Sequence, residues 1–150
     1  MKKVLVRKNF GQTLIELLMA LGAGVLIVVA IVGGVVMEGK NSQFAKNQNL
    51  ATRYAQEGIE LIRSQRDKLN WSAFYANYSG KPQCIDNGGN FTLMSGNCTP
   101  NVGNNFFTRS ATFTDSAQTG INLSITVTVS WQDSSGTHRS SQTTVLTSWG

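Results

Sequence analysis

From Leu17 to Met37 the chain carries no charged or strongly polar side chain, a run of 21 residues. At ~1.5 Å rise per residue, a helix of that length spans the ~30 Å hydrocarbon core of a bilayer. A secretory signal peptide has a shorter apolar region, closed by a small-residue cleavage site. Here the run is longer and continues into more helix-forming sequence. Lys2, Lys3, Arg7 and Lys8 precede it with no acid among them. That asymmetry places the N-terminus in the cytoplasm. No second apolar run follows, so everything after Glu38 is expected outside the cytoplasmic membrane.

The same four basic residues account for most of the net charge of +5. Beyond them, nine basic residues face eight acidic ones, so the body of the chain is nearly neutral. The high isoelectric point is therefore a property of the leader and does not argue for nucleic-acid binding.

Past the apolar run the helical pattern continues with a different character. Leu50, Ala51, Tyr54, Ala55, Gly58, Ile59, Leu61, Ile62 and Leu69 recur at three-to-four spacing, the period of an amphipathic helix. The opposite face carries Lys46, Gln48, Arg53, Gln56, Glu60, Arg63 and Lys68. No strict heptad is sustained, which excludes a free coiled coil. One helix over 12–70 is expected, with a transmembrane half at about 14–37. Gly22, Gly24, Gly33 and Gly34 interrupt the apolar half. Glycines let apolar helices approach closely, and Gly33-Gly34 is either a site of bending or local melting or simply tolerated.

The region 71–150 is expected to be an extracytoplasmic domain. Asn70 to Asn105 is rich in turn-forming stretches such as Asn77-Tyr78-Ser79-Gly80 and Asp86-Asn87-Gly88-Gly89-Asn90 and reads as loop. The Asp86 stretch resembles a calcium loop but has a single carboxylate, too few for a calcium site. Trp71, Phe74, Tyr75 and Tyr78 read as core and rim packing. Cys84 and Cys98 are the two cysteines of the chain. An even count outside the cytoplasm suggests one disulfide, with two unpaired thiols as the alternative. Phe107, Arg109, Ala111 and Phe113 alternate with polar residues, as do Ile121, Leu123, Ile125, Val127, Val129 and Trp131. Each is the pattern of a strand with one face buried. Asp133-Ser134-Ser135-Gly136 makes a turn, and Thr137 to Thr147 returns as a more polar strand. The expected fold is α+β: a long N-terminal helix whose amphipathic half covers a small antiparallel sheet.

The segment Lys8-Asn9-Phe10-Gly11-Gln12-Thr13-Leu14-Ile15-Glu16-Leu17-Leu18 resembles the prepilin cleavage site of type IV pilins and secretion-system pseudopilins. In that family a short basic leader ends in glycine, and the mature chain begins just after it with a glutamate at its fifth position. The resemblance implies a leader over 1–11, cleavage between Gly11 and Gln12, N-methylation of Gln12, and an assembly salt bridge from Glu16 to the new amine of a neighbouring subunit. The family starts its mature chain with phenylalanine or methionine, where this chain has Gln12. It often has a proline where this chain has Gly33. The motif covers roughly residues 2 to 40; beyond it the likeness is architectural. The cysteines are expected before the sheet and not near the C-terminus, which favours a minor pilin or pseudopilin over a major one.

The function expected from this resemblance is a structural, non-enzymatic filament subunit. It would be inserted in the inner membrane as a single-pass precursor and displayed on the cell surface after assembly. The implied partners are other pilin subunits, a prepilin peptidase, and a pilus or secretion assembly platform with its ATPase. A DNA-uptake (competence) pilus subunit and a type II secretion pseudopilin are the alternatives. Nucleic acid is disfavoured as a partner, because only Lys81, Arg109 and Arg139 are fixed positive charges after the helix. No nucleophile elbow, zinc helix motif or carboxylate pair supports an enzyme. Two cysteines with the lone His138 make a poor zinc set, His138 itself reads as solvated after the hairpin turn, and no cofactor is expected.

Overall fold

Both prolines of the chain, Pro82 and Pro100, lie beyond its first half, and nothing there removes a helical hydrogen-bond donor. In the computed structural model, which describes residues 10–148 with side chains from Thr13 onward, helix α1 accordingly runs unbroken over Phe10–Lys68. It begins slightly before the expected range, so the backbone of Phe10 and Gly11 is already helical. The backbone remains helical through Gly33 and Gly34, and the local melting considered for that pair is absent. A Cβ added at either position meets nothing within 4 Å.

The chain divides into two units, Met1–Phe44 and Ala45–Gly150. In the first, the described residues form the apolar part of α1. In the second, the rest of α1 packs on a five-stranded sheet. Its elements are α2 (Trp71–Tyr78), β1 (Gln83–Ile85), β2 (Phe91–Leu93), β3 (Thr108–Thr114), β4 (Asn122–Asp133) and β5 (Gly136–Thr147). The strand order is β2-β1-β3-β4-β5, and every neighbouring pair is antiparallel.

Alternation along the strands fixes the core. β4 turns Leu123, Ile125, Val127, Val129 and Trp131 inward, and β3 adds Ala111 and Phe113. Ala51, Ala55, Ile59 and Ile62 of α1 meet them from the other side. Each aliphatic side chain buried this way is worth ~1.5–3 kcal/mol relative to exposure. Gly58 lets the two layers close: a Cβ there would sit 2.8 Å from Val127 Cγ1. Ile121, expected to begin the buried row, is instead 53% exposed and lies just before β4.

The stretch read as loop contains more order than its composition suggests. Asn70 caps α2, its side chain accepting from the Ala73 N–H. Phe74 and Tyr78 are buried on the core, and Trp71 and Tyr75 pack at its rim. Gln83–Ile85 and Phe91–Leu93 then extend the sheet as short strands. Cys84 therefore lies within the sheet, in β1, and not ahead of it. At the other end, β4 and β5 join through Ser134-Ser135, with Asp133 opposite Gly136. Gly136 has φ 128°, a left-handed conformation suited to glycine.

Candidate functional site

The apolar half of α1 has no partner among the described residues. Every leucine, isoleucine, valine and methionine from Leu14 to Met37 is at least half exposed, between 54% and 72%. One helix, near the N-terminus, is thus long and apolar enough to cross a membrane. An uncovered apolar surface of this extent is stable only in lipid or against other apolar helices. Glu16 lies at its start, exposed, with no ion pair among the described residues. It and Glu38 bracket the charge-free segment. Gly11 and Gln12 share the helical backbone of α1, but their side chains lie outside the described residues, as do Lys2, Lys3, Arg7 and Lys8 entirely.

Cys84 and Cys98 are bonded, with 5.7 Å between their Cα atoms. The bond ties β1 to the segment leading into β3 and closes a loop that includes β2.

Arg109, placed by the alternation in the inward row of its strand but also counted among the fixed positive charges after the helix, is fully buried. The alternation of β3 points it inward, and a single guanidinium gathers three separated pieces of chain. Nε donates to Ile85 O (3.2 Å), Nη2 to Asp86 O (2.6 Å) and Nη1 to Tyr54 O on α1 (3.1 Å). Glu57 Oε1, half exposed, supplies the counter-charge at 3.2 Å from Nη1. Asn101 pairs with the Arg109 backbone in both directions. The buried charge is thus paired and its donors are satisfied, as burial requires.

The carboxylates of the turns are spent on their own backbone. Asp86 accepts from the Asn90 side chain and N–H, and these two bonds, the side chain foremost, hold its pKa below 3.8. Asp115 accepts from Gly120 N–H and Tyr75 Oη, and Asp133 from Ser135 N–H. These are the bonds that lower their pKa values, led by the backbone donor in each case. His138, expected in solvent, is half-buried: its Nε2 lies 3.0 Å from Asp133 Oδ1 and its ring 5.3 Å from that of Trp131. Among the described residues no three His, Cys, Asp or Glu side chains gather as a metal set.

The second unit also carries a groove of about 510 Å3 where α1 meets the 103–107 loop. Leu50 and Tyr54 form one wall, Phe106 and Phe107 the other, and Lys46 is its charged lining residue. Gly103, Asn104 and Asn105 all have positive φ, at 58°, 56° and 61°. That left-handed turn is what presents Phe106 outward. The sequence reading placed Lys46 on the helix face opposite the apolar stripe and Asn70 to Asn105 in loop, but did not single out Phe106.

Comparison with family models, with curated proteins and with solved structures finds no match to this chain. Its function is therefore argued from its own residues.

Proposed function

We propose that this chain is a structural subunit, a minor pilin or pseudopilin, of a type IV pilus-like filament. It enters the inner membrane as a precursor, is cut after Gly11, and assembles through the apolar half of α1. The observation that carries this reading is the uncovered apolar surface from Leu14 to Met37, with the single carboxylate Glu16 at its start. Lipid covers that surface in the precursor. Once a subunit leaves the bilayer, other apolar helices must cover it, and a carboxylate among them needs a counter-charge. Cleavage creates one, the free amine of Gln12. The covalently tied domain of the second unit, with its Cys84–Cys98 bond, suits an extracytoplasmic position.

The competence-pilus alternative loses support from the burial of Arg109, which leaves Lys81 and Arg139 as the exposed cations after α1. Mass spectrometry of the mature chain from native membranes tests the proposal. It should begin at Gln12, and Gly11→Leu should block processing. An intact Met1, or a cut after residue 25, would refute it.

A further inference from the structure

Of the asparagines in this chain, Asn87 alone is followed by a glycine. That pairing has a chemistry of its own. The backbone nitrogen of the next residue can attack an asparagine side-chain carbonyl. A β-carbon on that next residue obstructs the approach, and glycine has none. Asn87 and Gly88 are the two central residues of the turn between β1 and β2, closed by Gly89 N–H to Asp86 O at 3.2 Å. Both are exposed. Asn87 is held through its backbone, its N–H donating to Asn101 O at 3.2 Å. Its side-chain amide makes no hydrogen bond among the described residues.

We propose that Asn87 is a site of spontaneous deamidation, and that its conversion loosens the hold of Arg109 on the β1–β2 connection. The Gly88 nitrogen bonds to Asn87 Cγ, the Cγ–Nδ2 bond breaks, and the proton from Gly88 N leaves with the amide as ammonia. Water, the one co-reactant, then opens the cyclic imide at either carbonyl, to aspartate or to isoaspartate. Isoaspartate carries the side-chain methylene in the main chain, so the turn is lengthened by one carbon. Arg109 depends on that turn in two ways. The carbonyl directly ahead of Asn87 is Asp86 O, which accepts from Arg109 Nη2 at 2.6 Å. The Asn87 N–H also fixes Asn101 O, and the Asn101 side chain pairs with the Arg109 backbone. A buried guanidinium that loses an acceptor keeps its desolvation cost, so a change at an exposed turn is felt in the core. None of this depends on how the chain assembles.

The test follows the detergent-solubilised, disulfide-bonded full chain through incubation at mildly alkaline pH. Peptide mapping by mass spectrometry and labelling with an isoaspartyl methyltransferase report the conversion. Asn87 should turn from amide to acid before any other asparagine, with isoaspartate among the products. Conversion should quicken as pH rises, because the attacking nitrogen must lose its proton. As the converted fraction grows, the melting temperature of the second unit should fall by several degrees, and hydrogen exchange should rise around residues 85–101. Asn87→Gln, whose longer side chain disfavours the ring, should hold both constant over the same incubation. If Asn87 is still an amide when other asparagines have converted, the site is wrong. If Asn87 converts while melting and exchange match those of Asn87→Gln, the coupling to Arg109 is wrong.

Discussion

Arg109 shows how one residue can hold several segments in place. Its donors are divided among Ile85, Asp86 and Tyr54, so its loss strands carbonyls on α1 and on the β1–β2 connection together. Hydrogen bonds to a charged group are worth ~1.5–3 kcal/mol each. Arg109→Met should therefore destabilise the second unit by at least ~3 kcal/mol in thermal unfolding, and hydrogen exchange should rise most around residues 83–103. Arg109→Lys should recover little, since an ammonium cannot span the fork of a guanidinium. Full stability in either variant would remove the clamp assigned to Arg109. Gly58→Ala probes the same contact from the helix: its Cβ would meet Val127 Cγ1 at 2.8 Å and Arg109 Cδ at 3.1 Å. Overpacking of this kind costs ~1–3 kcal/mol, against the small gain alanine brings to a helix. The inward direction of Arg109 was legible in the alternation of β3. Its burial was not, because the carbonyls that compensate the charge come from segments remote in sequence.

At the scale of elements, α1, β3, β4 and β5 were legible because each repeats its period long enough to stand out. Short elements were not. α2 has its aromatics at Trp71, Phe74, Tyr75 and Tyr78, a helical spacing, but eight residues fall short of the length at which a helix is stable alone. Packing of those rings on the sheet stabilises it. β1 and β2, three residues each, exist because the ladder and the Cys84–Cys98 bond hold them. By the chain-entropy model a bond closing a loop with 14 residues of separation contributes ~3 kcal/mol. Cys84→Ser with Cys98→Ser should lower the melting temperature and raise exchange across 84–98, leaving the helicity of α1 intact. The turn carboxylates give the second unit an acid limit. Asp86, Asp115 and Asp133 all titrate below 3.8 in the folded state. As pH falls through 3.8 the unfolded chain takes up protons first, so their stabilising contribution, complete above that pH, is lost as pH drops through the folded values. A melting temperature that falls steadily below about pH 4, with a shallower slope in Asp115→Asn, is the expected result; an unchanged slope would show that this carboxylate contributes nothing.

For the whole molecule, the two units pose different problems. The second satisfies itself, with a core closed by α1 and the sheet. The first does not among the described residues: its apolar surface, legible in the sequence, is left exposed. Glu16 is where the proposed covering of that surface can be tested. In lipid a carboxylate near a helix start is tolerated at the headgroups, and removing it relieves a cost that reaches ~2.5 kcal/mol or more at the bilayer centre. Glu16→Ala should therefore insert, keep its topology and fold its sheet domain normally. On the proposed filament reading, the amine that cleavage would leave at Gln12 would then be buried among apolar helices without its counter-ion, and breaking a buried pair on one side costs ~3–5 kcal/mol. Incorporation into sheared filaments should fall by more than a hundredfold relative to membrane level, since ~1.4 kcal/mol is tenfold. Glu16→Gln should rescue little, because a neutral amide leaves the amine uncompensated, whereas Glu16→Asp should keep part of the activity through its retained charge. Processing after Gly11 should proceed in all three, which separates assembly from maturation. If Glu16→Ala enters filaments as well as the wild type, Glu16 is only interfacial, and helix packing alone, without a charge pair at its base, must hold the subunits together.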